Sequence, residues 1–278
     1  MHSDEAGVGP WVVDPDTLAM LRLEKAVRAL DADAPDLALV EAEELLQAHP
    51  GHPDGLGIVG RAALQLGDAA MARAALEQLC GDEPSDPVQA LLLSQARFGS
   101  ADLEGAVSAA RLATSLRPDL AAAWFQQALA LDRLGQPGAA ALAWQRANAL
   151  DPEGFRLPVP VPDDIWSACL EAAIGALPSE LQLFYEHVPV RWASYPSEAE
   201  LHAESPPLSP LVDAMYTGSP PVDPDERQRE LPAAVLLFRG NLALPDPEPA
   251  ALVHRIHAAL IHEAGDWLGV PPPESAED

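Results

Sequence analysis

The stretch LIHEAGDWLG, residues 260–269, puts a histidine and an aspartate at the spacing of one helix face, with a glutamate between them in sequence. Side chains at i and i+4 of a helix project side by side, so His262 and Asp266 stand as two ligands of a single metal ion would. Glu263, displaced around the helix from that pair, is a carboxylate that could take a proton from a metal-bound water, the chemistry of metal-assisted hydrolysis. The same three residues permit a plainer reading, a His–carboxylate hydrogen bond on the polar side of an amphipathic helix. Aspartate binds zinc at roughly 2.0–2.2 Å, but its oxygen ends nearer the helix axis than an imidazole nitrogen. A second anionic ligand also weakens the ion's pull on its water.

The element that must position these groups is a helix from about Pro247–Pro249 to Gly269. At about 100° per residue, Leu252, Val253, Ile256, Leu260 and Trp267 share one apolar face, while Arg255, His262 and Asp266 fall opposite. His254 and His257 read as structural or surface histidines. Upstream, DDIWSACLEAAIGAL (163–177) is spaced as an amphipathic helix. VPVRWASY (188–195) and AAVLLFR (233–239) read as strands, the second a continuous apolar run of the kind that is covered on both faces. ESPPLSPL and TGSPPVDPDERQRELP read as surface loops, and PPPESAED (271–278) as an acidic tail.

The N-terminal half keeps a different rhythm. Pro50, Pro84, Pro118 and Pro152 are 34 residues apart, and so are Ala38, Ala72, Ala106 and Ala140. A third column holds Ala26, Gly60, Ser94 and Ala128, all small. Each unit reads as helix, turn, helix, with small residues where helices approach and proline where the second helix stops. One hairpin cannot hide its apolar face, so such units stack. This unit resembles the tetratricopeptide repeat, whose pattern is met by Trp124, Ala128, Ala140, Trp144, Ala147 and Pro152. Repeats are expected at 19–52, 53–86, 87–120 and 121–154, after an N-terminal segment 1–18. The resemblance implies a protein- or peptide-binding groove lined by Arg61, Leu64, Leu91, Gln95, Phe125 and Leu129. The lysine–asparagine clamp that some such repeats close on a C-terminal carboxylate is absent.

Residues 155–270 resemble the bacterial minimal zincin family, through ALPSEL (176–181), PPLSPL (206–211), LPAAVLLFRGNL (231–242) and the final IHEAGDWLG. The family pattern H-E-x-x-H-x-x-G makes His262 a metal ligand, Glu263 the general base and Gly269 the packing glycine. It puts Asp266 where a second histidine ligand belongs. The third, acidic ligand falls within Pro271–Pro273, and Glu274 is the nearest substitute. The resemblance also implies that a strand like 233–239 borders the cleft beside the metal helix. The whole reads as an α+β protein: an all-α tetratricopeptide-repeat solenoid followed by a small zincin-like domain. Catalysis is expected to be lost or weak, with zinc a possible but doubtful occupant. The alternative is an active zinc-dependent peptidase using His262, Asp266 and a loop carboxylate, with Glu263 as base.

Charge and cysteines narrow the setting. The chain carries 43 acidic against 16 basic residues, a net charge of −27, and Lys25 is its only lysine. Such a surface repels nucleic acid and anionic membranes and favours neutral or basic partners. No segment reads as a membrane span or signal peptide. Cys80 and Cys169 are isolated, as buried thiols in a reducing compartment would be, so a cytoplasmic location is expected.

Overall fold

The computed structural model describes residues 14–81, 84–203, 205–220, 223, 230–244 and 246–269. Glu274 and the tail 271–278 lie outside the described residues, as do residues 1–13 and 224–229. The chain divides into two compact units, Met1–Ala130 and Leu131–Asp278.

The first unit is built from α1 (Pro15–Asp31), α2 (Pro35–Ala48), α3 (Pro53–Gln65), α4 (Ala69–Cys80), α5 (Pro87–Gly99) and α6 (Leu103–Leu116). Most of α7 (Ala121–Arg133) completes it, and α8 (Pro137–Leu150) belongs to the second unit. Proline opens α1, α2, α3, α5 and α8, where its missing N–H and fixed φ cost nothing. The Asp14, Asp68, Asp86 and Asp102 side chains accept first-turn N–H groups that the helices leave unpaired.

The 34-residue ruler is visible in the backbone itself. Asp33, Gly67, Ala101 and Gly135 all have positive φ, and each turns one helix into the next. After each, the same hydrogen bond recurs: Ala34 N to Ala29 O, Asp68 N to Ala63 O, Asp102 N to Arg97 O, and Gln136 N to Leu131 O. The small columns are buried without exception. Ala38, Ala72, Ala106 and Ala140 have no exposed surface, nor do Ala26, Ser94 and Ala128. A Cβ on Gly60 would stand 2.6 Å from Leu76 Cγ, which is why that row of the column holds glycine. Helical repeats of tetratricopeptide type therefore make up the N-terminal region.

The second unit adds a small α+β domain. Its elements are α9 (Asp163–Gly175), α10 (Ser179–His187), β1 (Val190–Ala193), α11 (Glu198–Leu201), β2 (Ala214–Thr217), β3 (Ala234–Phe238), α12 (Arg239–Ala243) and α13 (Pro249–Leu268). The sheet order is β1-β3-β2: Val190 lies opposite Val235 in a parallel pair, Tyr216 opposite Val235 in an antiparallel one. The apolar run of β3 is thus the central strand, with Val235, Leu237 and Phe238 fully buried. Helix α13 buries Leu252, Ile256, Leu260 and Trp267, as its spacing requires, and packs on α9 and the sheet. Gly269, at φ 69°, closes α13 in the left-handed conformation.

Four elements of this domain have no counterpart in the expectations from sequence: α10, α11, β2 and α12. Strand β2 is four residues long and sits between two proline-rich stretches, too short to show an alternation of its own.

Candidate functional site

Helix α13 does place His262 and Asp266 together. His262 Nδ1 stands 3.1 Å from Asp266 Oδ2, with both side chains about half exposed to solvent. Glu263 is the sheltered neighbour of this pair, its Oε1 3.9 Å from His262 Nδ1. It is 9% exposed, and its Oε2 accepts the backbone N–H of Tyr216 at 2.8 Å. In the antiparallel pair, Asp213 and Thr217 turn their carbonyls to β3, so the Tyr216 N–H leaves the sheet on its outer edge. The Glu263 carboxylate caps that edge. The strand beside α13 is therefore the edge strand β2, which corrects the expectation that 233–239 borders the cleft; that segment is the covered centre of the sheet.

A cleft of about 390 Å³ runs along α13, lined by His254, Arg255, Ala258, Ala259, His262 and Glu263 on one side and 212–214 on the other. His254 belongs to this cleft, one element of it that the sequence reading treated as uninvolved. Arg255 is occupied. Its Nη2 donates to both Asp213 oxygens at 2.6 and 2.8 Å, and its Nη1 donates to the carbonyls of Asn241 and Leu242.

Beneath the cleft lies a polar network that motif spacing could not reveal. Asn241 is 2% exposed, and its Nδ2 donates to the carbonyls of Pro210 and Val212 at 2.9 and 2.6 Å. Its Oδ1 accepts Arg133 Nη2 at 2.5 Å. Arg133 stacks 4.4 Å over the Tyr195 ring, and burial holds its guanidinium down at about 10. Asn241 thus fixes the segment that leads into β2, and with it Asp213. The Tyr185 hydroxyl donates to Leu260 O at 2.6 Å; burial first, and the Glu263 charge second, push its pKa up.

Does this donor set fit a zinc ion? Catalytic zinc takes three protein ligands and keeps a fourth position for water. Here one imidazole and one carboxylate are in contact with each other, and among the described residues no group of three His, Cys, Asp or Glu side chains could hold a metal. The described residues do not fit a resident zinc. Glu263, the expected base, is 9% exposed, and its Oε2 is taken by the Tyr216 N–H. Glu274, the expected substitute ligand, lies outside the described residues.

The six expected groove residues all lie on the first helix of their hairpins, α3, α5 and α7. Arg61 is exposed, Leu64, Gln95 and Phe125 are half-buried, and Leu91 and Leu129 are buried. Neither Cys80 nor Cys169 is in a disulfide among the described residues, and burial raises the Cys169 thiol. No described helix is long and apolar enough to cross a membrane.

Residues 185–277 match the family described as zincin-like metallopeptidase. No curated protein matches the chain. Among solved structures, a crystal structure of MamA is 18% identical with a TM-score of 0.46, covering 49% of this chain and 75% of its own. MamA from Desulfovibrio magneticus is 20% identical with a TM-score of 0.45, covering 50% and 76%. A thermophilic TPR protein of Thermus thermophilus is 22% identical with a TM-score of 0.44, covering 60% and 96%.

Proposed function

We propose that the chain is a partner-binding repeat protein whose zincin-like domain no longer hydrolyses peptides. The observation that carries this reading is the engagement of Glu263. A general base must face the water it activates, whereas this carboxylate is buried and accepts the Tyr216 N–H at 2.8 Å. The His262–Asp266 contact supports it further, since the two groups face each other at 3.1 Å. A protein or peptide partner would bind on the first-helix face through Arg61, Leu64 and Phe125, with Gln95, Leu91 and Leu129 shaping the floor. The net charge of −27 favours a neutral or basic partner and disfavours nucleic acid. The isolated cysteines, Cys80 and Cys169, support a reducing, cytoplasmic setting.

The match of residues 185–277 favours a second reading, an active zinc peptidase in which His262, Asp266 and a tail carboxylate such as Glu274 hold the ion. Zinc content and hydrolysis decide between them. Purified full-length protein is expected to hold well under one equivalent of zinc by elemental analysis, unchanged by His262→Ala. About one equivalent lost in His262→Ala, with peptide hydrolysis abolished in Glu263→Gln, would establish the peptidase instead.

A further inference from the structure

The second unit contains another cavity, of about 380 Å³, to which α13 contributes no lining residue. Small-molecule sites fall at roughly 300–1,000 Å³, so its size is that of a small ligand. Its walls are mostly apolar, from Pro158, Val159, Pro160 and Val161 of the linker, Trp166 of α9 and Leu244 after α12. Two opposite charges also line it, Asp132 near the end of α7 and Arg239 at the start of α12.

Both charges are under-served by the protein. The Arg239 guanidinium lies 4.9 Å over Trp192 and 5.6 Å over Trp166, which holds its plane in place. Its Nη1 donates to Asp163 at 2.6 Å, but the Asp163 side chain is 87% exposed, and the buried Nε has no acceptor. A partner so exposed is screened by water and holds a cation weakly. Asp132 is engaged on one oxygen only. Its Oδ2 accepts Trp144 Nε1 at 2.8 Å and the Tyr195 hydroxyl at 3.5 Å, while Oδ1 accepts from no described residue. Burial raises its carboxyl above the ordinary value, and Arg133, itself committed to Asn241, offsets only part of that.

We propose that this cavity binds a small zwitterion with an apolar body, its carboxylate on Arg239 and its ammonium on Asp132. A simple anion would gain Arg239 but meet Asp132, and a simple cation the reverse; a molecule carrying both charges complements both groups. The proline and valine walls take an aliphatic or aromatic side chain. Free apolar amino acids and dipeptides share this chemistry and differ in the distance between their two charges. The assignment is independent of the state of the α13 motif.

The test is an amide NMR titration of the full-length protein with leucine, phenylalanine and leucyl-leucine, beside N-acetylleucine and leucinamide. Saturable shifts are expected at Ser194, Tyr195, Gly240 and Ala243. Each blocked compound should bind about tenfold more weakly, the loss of one charge-assisted contact worth ~1.4 kcal/mol. Asp132→Asn should weaken leucine but spare N-acetylleucine. Asp163→Asn, which releases Arg239 Nη1, should tighten leucine binding, and it tests the site without disturbing the Arg239 stack. Stronger binding of leucine marks a free amino acid as ligand, and stronger binding of leucyl-leucine a dipeptide. Absence of saturable shifts with all three zwitterions, or equal binding of the blocked compounds, overturns the proposal.

Discussion

If Glu263 serves as a brace, its removal should cost stability, not only chemistry. The residue is 9% exposed, and its carboxylate accepts the outward N–H of the edge strand β2. Hydrogen bonds to charged groups contribute about 1.5–3 kcal/mol, and a buried N–H left without a partner lies in the same range. Glu263→Ala should therefore destabilise the second unit by about 2 kcal/mol, which at a typical urea slope near 2 kcal/mol/M moves the midpoint down by about 1 M. Glu263→Gln keeps a carbonyl oxygen at the same reach and should cost under ~1 kcal/mol. Trp267 reports the event directly, because its ring meets Tyr216 at 5.2 Å. Urea unfolding followed by tryptophan fluorescence gives the stability, and hydrogen exchange at the Tyr216 amide gives the bond. The amide should exchange faster in Glu263→Ala than in Glu263→Gln. Unchanged midpoint and unchanged Tyr216 protection in Glu263→Ala would refute the brace.

Two further outcomes follow from the same unit. A Cβ on Gly240 would overlap the Tyr195 ring, so Gly240→Ala should cost at least about 1–3 kcal/mol by displacing the ring on which Arg133 stacks; thermal melting reads the loss. The Asp132 carboxyl titrates above its ordinary value of 3.8 in the folded protein, chiefly through burial, so the native state is the better proton binder in the window that begins there. The carboxylate then costs stability above the window, and the cost is relieved as pH falls through the folded pKa. Asp132→Asn should accordingly melt higher than wild type at neutral pH and lose that advantage below the window, as a series of melts across pH would show.

The repeats were legible because their determinants are local and recur. A small residue at 26, 60, 94 and 128 is required by contacts inside one hairpin, and it reappears at each period. The positive φ at 33, 67, 101 and 135 obeys the same period, yet only Gly67 and Gly135 announce it; Asp33 and Ala101 take the conformation because the surrounding helices impose it. On α13 the apolar face was equally legible, since Leu252, Ile256, Leu260 and Trp267 are all buried. What helical spacing could not supply was the neighbour. Position 263 was readable as displaced around the helix from 262 and 266, but that it meets the Tyr216 N–H depends on a four-residue strand 47 residues earlier. Arg255 was assigned to the polar side with His262. It does line that cleft, but Asp213, Asn241 and Leu242 take up its donors, and none of those contacts leaves a periodic trace.

The placement of His262, Glu263 and Asp266 on α13 then has one physical logic. A hydrolytic site needs its ligand pair in a sheltered cleft and its glutamate free to face water. On this helix the pair is the exposed part, with His262 60% and Asp266 47% exposed at the side chain, and the glutamate is the sheltered part at 11%. Aspartate at 266 suits that inversion. Its carboxylate reaches the neighbouring imidazole across one helical turn, at 3.1 Å. Once β2 draws on Glu263 for its edge N–H, retaining glutamate at 263 serves the fold whether or not a metal is ever bound. The His262–Glu263 pair is therefore compatible with a helix that closes a sheet edge.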